Sequence, residues 1–159
     1  MKHSAFSLGD ERKRAVADTV GSILETKGHG VVSIAPTSTV YDAIAEMAQH
    51  EVGALAVLEG RTLVGIVSER DYARKVILQG RSSKEMRVQE IMTPLPITVE
   101  PSFTVDECMR VVTEKRIRHL PVVEQGEVLG MISIGDLVKA IISAQSYTID
   151  QLHEYIVAG

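Results

Sequence analysis

The chain has no tryptophan, two phenylalanines and four tyrosines among 159 residues. With aromatic residues at 4%, any core has to be aliphatic, built from Val, Ile, Leu, Met and Ala. Cys108 is the single cysteine, which excludes an intramolecular disulfide and a cysteine-based metal cluster. A lone thiol also fits a reducing, cytoplasmic home. No apolar run approaches the roughly 18 residues of a membrane span. The N-terminal stretch MKHSAFSLGDERKRAVAD has no apolar centre of the signal-peptide kind. Nor is there an excess of positive charge: the formal net charge is −4 and the pI near 5.7, which argues against a dedicated nucleic-acid binder. Walker-type and GxGxxG phosphate loops are absent. The five histidines, at positions 3, 29, 50, 119 and 153, are scattered and lack the close spacing of a zinc motif.

What the chain does have is a repeat. Residues 33–76 slide onto 98–141 without a gap, at a constant offset of 65. Pro36, Thr39, Val40, Leu55, Val57, Glu59, Gly65, Ser68 and Asp71 all meet identical partners at that offset. The apolar pattern agrees more widely than the identities. Two copies of about 60 residues are too few for a solenoid, so the pair is expected to share one core.

Both copies read alike. A short apolar strand comes first, VVSI at 31–34 and PITV at 96–99. A Ser/Thr-rich cap and a helix follow: Val40, Ile44 and Met47 lie at helical spacing, as do Val105, Met109 and Val112, with Cys108 on the same face. Two strands come next, ALAVL at 54–58 with LVGIVS at 63–68, and LPVV at 120–123 with VLGMIS at 128–133. Their polar, Gly-containing connections EGRT and EQGE suit hairpins. A second helix closes each unit, over 71–78 and 136–143. The order is β-α-β-β-α, twice.

Both copies end their last strand with Gly-apolar-apolar-Ser-x-x-Asp, as GIVSERD at 65–71 and GMISIGD at 130–136. The second copy also reads RHLPVVEQGEVLGMIS, and IMTP stands before it. In these motifs and their order the chain resembles the tandem cystathionine-β-synthase pair, the CBS pair or Bateman module. The resemblance covers about residues 20–144. It implies an α/β (α+β) fold of two CBS repeats packed as a pseudo-twofold pair. The organisation expected is an N-terminal, partly helical segment over 1–19, CBS repeat 1 over 20–79, a linker over 80–87, CBS repeat 2 over 88–144 and a C-terminal helix over 145–159. That last helix packs on its own subunit or forms a dimer contact.

The resemblance further implies a regulatory module that binds an adenine nucleotide (AMP, ATP or NAD) in clefts between the repeats, works as a homodimer and signals to an unidentified protein partner. Neither a catalytic cofactor nor a metal is expected. Ser68 and Ser133 have no identifiable general base, so no enzyme is expected either.

Within this frame the residues acquire candidate roles. Ser68 and Ser133 suit helix caps. Asp71 and Asp136 are the ribose candidates, because a carboxylate can accept from two neighbouring hydroxyls. Arg70, Arg118 and His119 are the candidate phosphate cations, Arg being apt because its planar fork matches phosphate oxygens. Thr93 and Thr98 are secondary candidates for ribose or phosphate. Arg70 has Gly135 as its counterpart, whereas Arg118 and His119 match Gly53 and Ala54, so the two clefts are expected to differ. Two alternatives remain: a ligand-free scaffold, and nucleic-acid contact through the basic stretch of Arg74, Lys75, Arg81 and Lys84.

Overall fold

The computed structural model describes residues 19–28 and 30–144. The expected helix over 145–159 and nearly all of the segment over 1–19 lie outside the described residues. Helices and strands are mixed. In chain order they are α1 (Val20–Lys27), β1 (Ser33–Ile34), α2 (Val40–His50), β2 (Ala54–Glu59), β3 (Thr62–Ser68), α3 (Glu69–Tyr72), α4 (Val88–Ile91), β4 (Thr93–Pro94), α5 (Val105–Lys115), β5 (His119–Glu124) and β6 (Glu127–Ser133). α6 occupies 134–144. α3 runs on as a π-helical stretch, Ala73–Ile77.

The chain divides into two compact units, and neither is a linear repeat. Of the described residues, one holds 30–98 and 119–131; the other holds 19–28, 99–118 and 132–144.

In the first unit a four-stranded sheet runs in the order β1-β2-β3-β4. β1 pairs parallel to β2, and β2–β3 and β3–β4 pair antiparallel. The continuous apolar run of β2 is buried from Ala54 to Val57, as a strand covered on both faces requires. α2 turns Val40, Ala43 and Met47 inward; they pack with Leu55, Val57, Val67, Val76, Met86, Val88 and Ile91. Full burial of a side chain such as Leu55 or Met47 stabilises by about 1.5–3 kcal/mol. Thr39 caps α2 by accepting from the Asp42 N–H at 3.1 Å.

In the second unit the Thr19 side chain caps α1 in a reciprocal box with Ser22, and Thr104 caps α5 in the same way with Glu107. Val105, Cys108 and Val112 are the buried face of α5, and Leu137 of α6 is buried too.

The unit boundaries follow from where the leading segments bond. Val20 and Gly21, at the start of the first repeat, donate to the carbonyls of Phe103 and Pro101, both at 2.9 Å. Val88 and Gln89, at the start of the second, donate to the carbonyls of Ser38 and Pro36 at 2.9 and 3.0 Å. Each leading segment therefore bonds to the turn ahead of the first helix of the other repeat.

The hairpins form where expected. Gly60 takes φ +65° in the first, and Gln125 and Gly126 take +51° and +80° in the second. The second pattern is that of a type I′ turn. The opening strands are shorter than expected. Only Ser33 and Ile34 of VVSI pair. PITV is not a strand: residues 96–98 have no regular structure and Val99 makes an isolated bridge. β4 instead lies beside β3; the Leu95 N–H still donates to the Val64 carbonyl at 3.3 Å, and the chain then leaves the sheet as Leu95 takes φ +46°. Pro96 follows without an N–H to give to a ladder.

Candidate functional site

Each Ser-x-x-Asp motif closes a strand and opens a helix. In the first unit the Ser68 N–H donates to Asp71 Oδ2 at 2.9 Å, and the Asp71 N–H donates back to Ser68 Oγ at 3.1 Å. The Ser68 hydroxyl also donates to Asp71 Oδ2, at 3.0 Å. The other carboxylate oxygen, Oδ1, lies 3.3 Å from Lys75 Nζ. Lys75 donates as well to the Ile91 carbonyl at the end of α4, at 2.7 Å. Both oxygens of Asp71 are thus already engaged.

The turn is held next to the start of β2, because the Glu69 N–H donates to the Gly53 carbonyl at 3.0 Å. His119 lies beside the same residue: a Cβ on Gly53 would sit 3.6 Å from His119 Nε2. The structure therefore brings Ser68, Asp71 and His119 to one neighbourhood. Arg70 is exposed in the first turn of α3. Thr93 is exposed on β4, opposite Ile66. Thr98 is exposed and outside any strand.

The second unit repeats the frame. The Ser133 N–H donates to Asp136 Oδ2 at 2.9 Å, and the Asp136 N–H to Ser133 Oγ at 3.1 Å. The Ile134 N–H donates to the Arg118 carbonyl at 2.9 Å, as Glu69 does to Gly53. Arg118 is thereby tied to the Asp136 turn through its backbone, and its residue as a whole is exposed. The carboxylate's cation is different: Lys27, in the last turn of α1, places Nζ 2.8 Å from Asp136 Oδ2. Burial alone would raise the Asp136 carboxyl. The hydrogen bond and charge of Lys27, with the backbone and hydroxyl bonds of Ser133, outweigh it and hold the group below the ordinary carboxylate value.

Neither Lys27 nor Lys75, the latter named only in the basic stretch, was among the residues expected at these frames. Lys75 was legible as a partner, since it stands four residues after Asp71 on a helix. Lys27 was not: 109 positions separate it from Asp136, and it lies outside the aligned repeat.

Lys75 also borders an open cavity of about 230 Å³, lined by Gln79, Arg81, Met86, Glu90 and Ile91. Among the described residues no cluster of three or more His, Cys, Asp or Glu is arranged to hold a metal ion.

Two Ser-Asp frames, each at the same strand-to-helix junction, match the arrangement that the sequence suggested. The CBS domain family model matches residues 20–77 and 88–143. The chain belongs to the CBS domain family. This CBS-domain chain is 41% identical over 150 residues to the CBS domain-containing protein CBSX3, mitochondrial, of Arabidopsis thaliana, covering 89% of this chain and 73% of the relative. A CBS-domain structure from Burkholderia ambifaria MC40-6 is 52% identical, with a TM-score of 0.76 over 79% of this chain and 94% of that one. CBSX2, solved in complex with AMP, is 28% identical, with a TM-score of 0.64 over 79% and 97%. CBS-pair proteins of this kind are regulatory modules. No described helix is long and apolar enough to cross a membrane.

Proposed function

We propose that this CBS-domain chain is a non-catalytic sensor that binds an adenine nucleotide of the AMP, ATP or NAD class and signals by a change of conformation. The observation that carries the reading is the twice-built Ser-Asp frame, in which a carboxylate is fixed by its own helix cap at the end of a strand. A fixed carboxylate can receive a ribose diol without first being ordered. The AMP complex of CBSX2 supports the ligand class. Arg70, Arg118 and His119 are the proposed phosphate cations, with Thr93 and Thr98 as further contacts. Regulation then needs only that the ligand favour one conformation over another.

A homodimer belongs to the same reading. Ile134, Val138 and Ile142 lie four residues apart on α6 and are 41%, 42% and 56% exposed. An apolar stripe of that kind suits a second copy. A stable dimer with no ligand response would favour the scaffold alternative. The cytoplasmic location is also proposed, on the single thiol; the Arabidopsis relative, named mitochondrial, shows that the family is not confined to the cytoplasm.

Thermal melting tests the reading. A ligand at 100 times its Kd stabilises the folded state by about 2.7 kcal/mol, so AMP, ATP or NAD should raise the Tm. The rise should shrink in Asp71→Ala and in Asp136→Ala and vanish in the double variant. A rise that survives the double variant for every adenylate tried overturns the site. Native mass spectrometry of the purified protein would read any retained nucleotide and the oligomeric state together.

A further inference from the structure

The offset of 65 leaves the second frame without the cation of the first, since Gly135 stands where Arg70 does. The fold supplies another cation from outside the segments aligned at that offset. Lys27 Nζ meets Asp136 Oδ2 at 2.8 Å, and the two side chains are 40% and 20% exposed. The pair is within reach of solvent and of a ligand.

We propose that Lys27 is a phosphate-binding residue of the Asp136 frame and makes that frame select a phosphorylated adenylate over the bare nucleoside. The inference rests on the reading of Asp136 as the ribose carboxylate. Three observations carry it.

First, a nucleotide brought to Asp136 sets its phosphate near a carboxylate, and like charges at short range oppose binding. A cation beside that carboxylate offsets the repulsion, and among the described residues Lys27 is in contact with it, at 2.8 Å. Second, the ion pair with Lys27 and the bond from the Ser133 N–H both fall on Oδ2. A carboxylate has about four lone-pair sites, so Oδ1 keeps capacity for ribose hydroxyls. Asp71 is more fully used, with Ser68 on one oxygen and Lys75 on the other. Third, the turn beside Asp136 is open: a Cβ added to Gly135 would meet only Ser133 Oγ, at 3.6 Å.

Lysine suits the task. Its ammonium carries three donors on a flexible stem and can hold Asp136 in the free protein, then turn a donor to phosphate while staying beside the carboxylate.

The test is calorimetric titration of AMP and of adenosine into the full chain carrying Asp71→Ala, which leaves Asp136 as the only ribose carboxylate of the two. AMP should bind at least about tenfold more tightly than adenosine, the scale of one charge-assisted hydrogen bond. Adding Lys27→Gln should remove that preference by weakening AMP about tenfold, with adenosine unchanged or tighter. Lys27→Arg should retain the preference and shows that the site still folds. If Lys27→Gln keeps the AMP preference, or weakens both ligands equally, Lys27 is only a structural partner of Asp136 and the inference falls. If Asp136→Ala binds both ligands as its parent does, or the parent binds neither, the ribose reading falls and the role of Lys27 with it.

Discussion

Ser68 and Asp71 hold each other across a single turn, each backbone N–H donating to the other's side chain, at 2.9 and 3.1 Å. The bond pair satisfies two N–H groups at the start of α3 that a helix leaves without partners. Ser68→Ala should therefore destabilise the fold by about 0.5–2 kcal/mol. Urea unfolding would read it as a lower midpoint at unchanged slope. A midpoint equal to wild type would mean that the cap is dispensable.

Gly65 is a packing requirement. It pairs opposite Pro94, and a Cβ there would come 2.5 Å from Met92 Sδ and 3.0 Å from the Thr93 carbonyl oxygen. The sulfur can move; the backbone of β4 cannot without leaving β3. Gly65→Ala should cost about 1–3 kcal/mol, in line with overpacking elsewhere. Thermal melting checks this, and an unchanged Tm would show that β4 shifts freely.

Asp136 gives a pH signature. Its folded-state carboxyl is held below the ordinary value by Lys27 and Ser133, against the effect of burial. A depressed acid contributes stability that is fully present above the unfolded value, about 3.9, and is lost as pH falls through the folded value. The Tm of wild type should therefore drop more steeply below about pH 4 than that of Asp136→Asn. Parallel curves would remove the linkage.

Cys108 should be inert in the folded protein. It is fully buried on α5, and burial, aided by the Glu107 charge, pushes its thiol up to about 11. The nucleophile is the thiolate, which is scarce at pH 8. A colorimetric thiol reagent should find no reactive thiol in native protein and one after denaturation. Rapid labelling of the native protein would contradict the burial.

Leu55 tests the core of the first unit. It is fully buried in β2 among Val40, Met47 and Val67. Leu55→Ala should cost about 2–5 kcal/mol through lost burial and the cavity it leaves. Chemical denaturation measures it; a loss below about 1 kcal/mol would mean that the site collapses around the smaller side chain.

The sequence alone determined the local elements. The helical spacing of Val40 and Met47, the unbroken apolar run at 54–58 and the Gly-containing turns settle α2, β2 and the hairpins, because each depends on neighbours a few residues away. The duplicated Ser-x-x-Asp motif was legible for the same reason: a capping box is closed within four residues. Tertiary structure decided the rest. PITV has the composition of a strand, yet Leu95 and Pro96 carry it off the sheet, and β4 takes the place beside Gly65. Each repeat's leading segment bonds to the turn ahead of the other repeat's first helix, so the compact units cross the linear ones. Above all, the cation on Asp136 comes from Lys27, 109 positions away. Sequence spacing fixes which groups are local, but a charge partner is chosen by distance in space, and only the folded chain sets that distance.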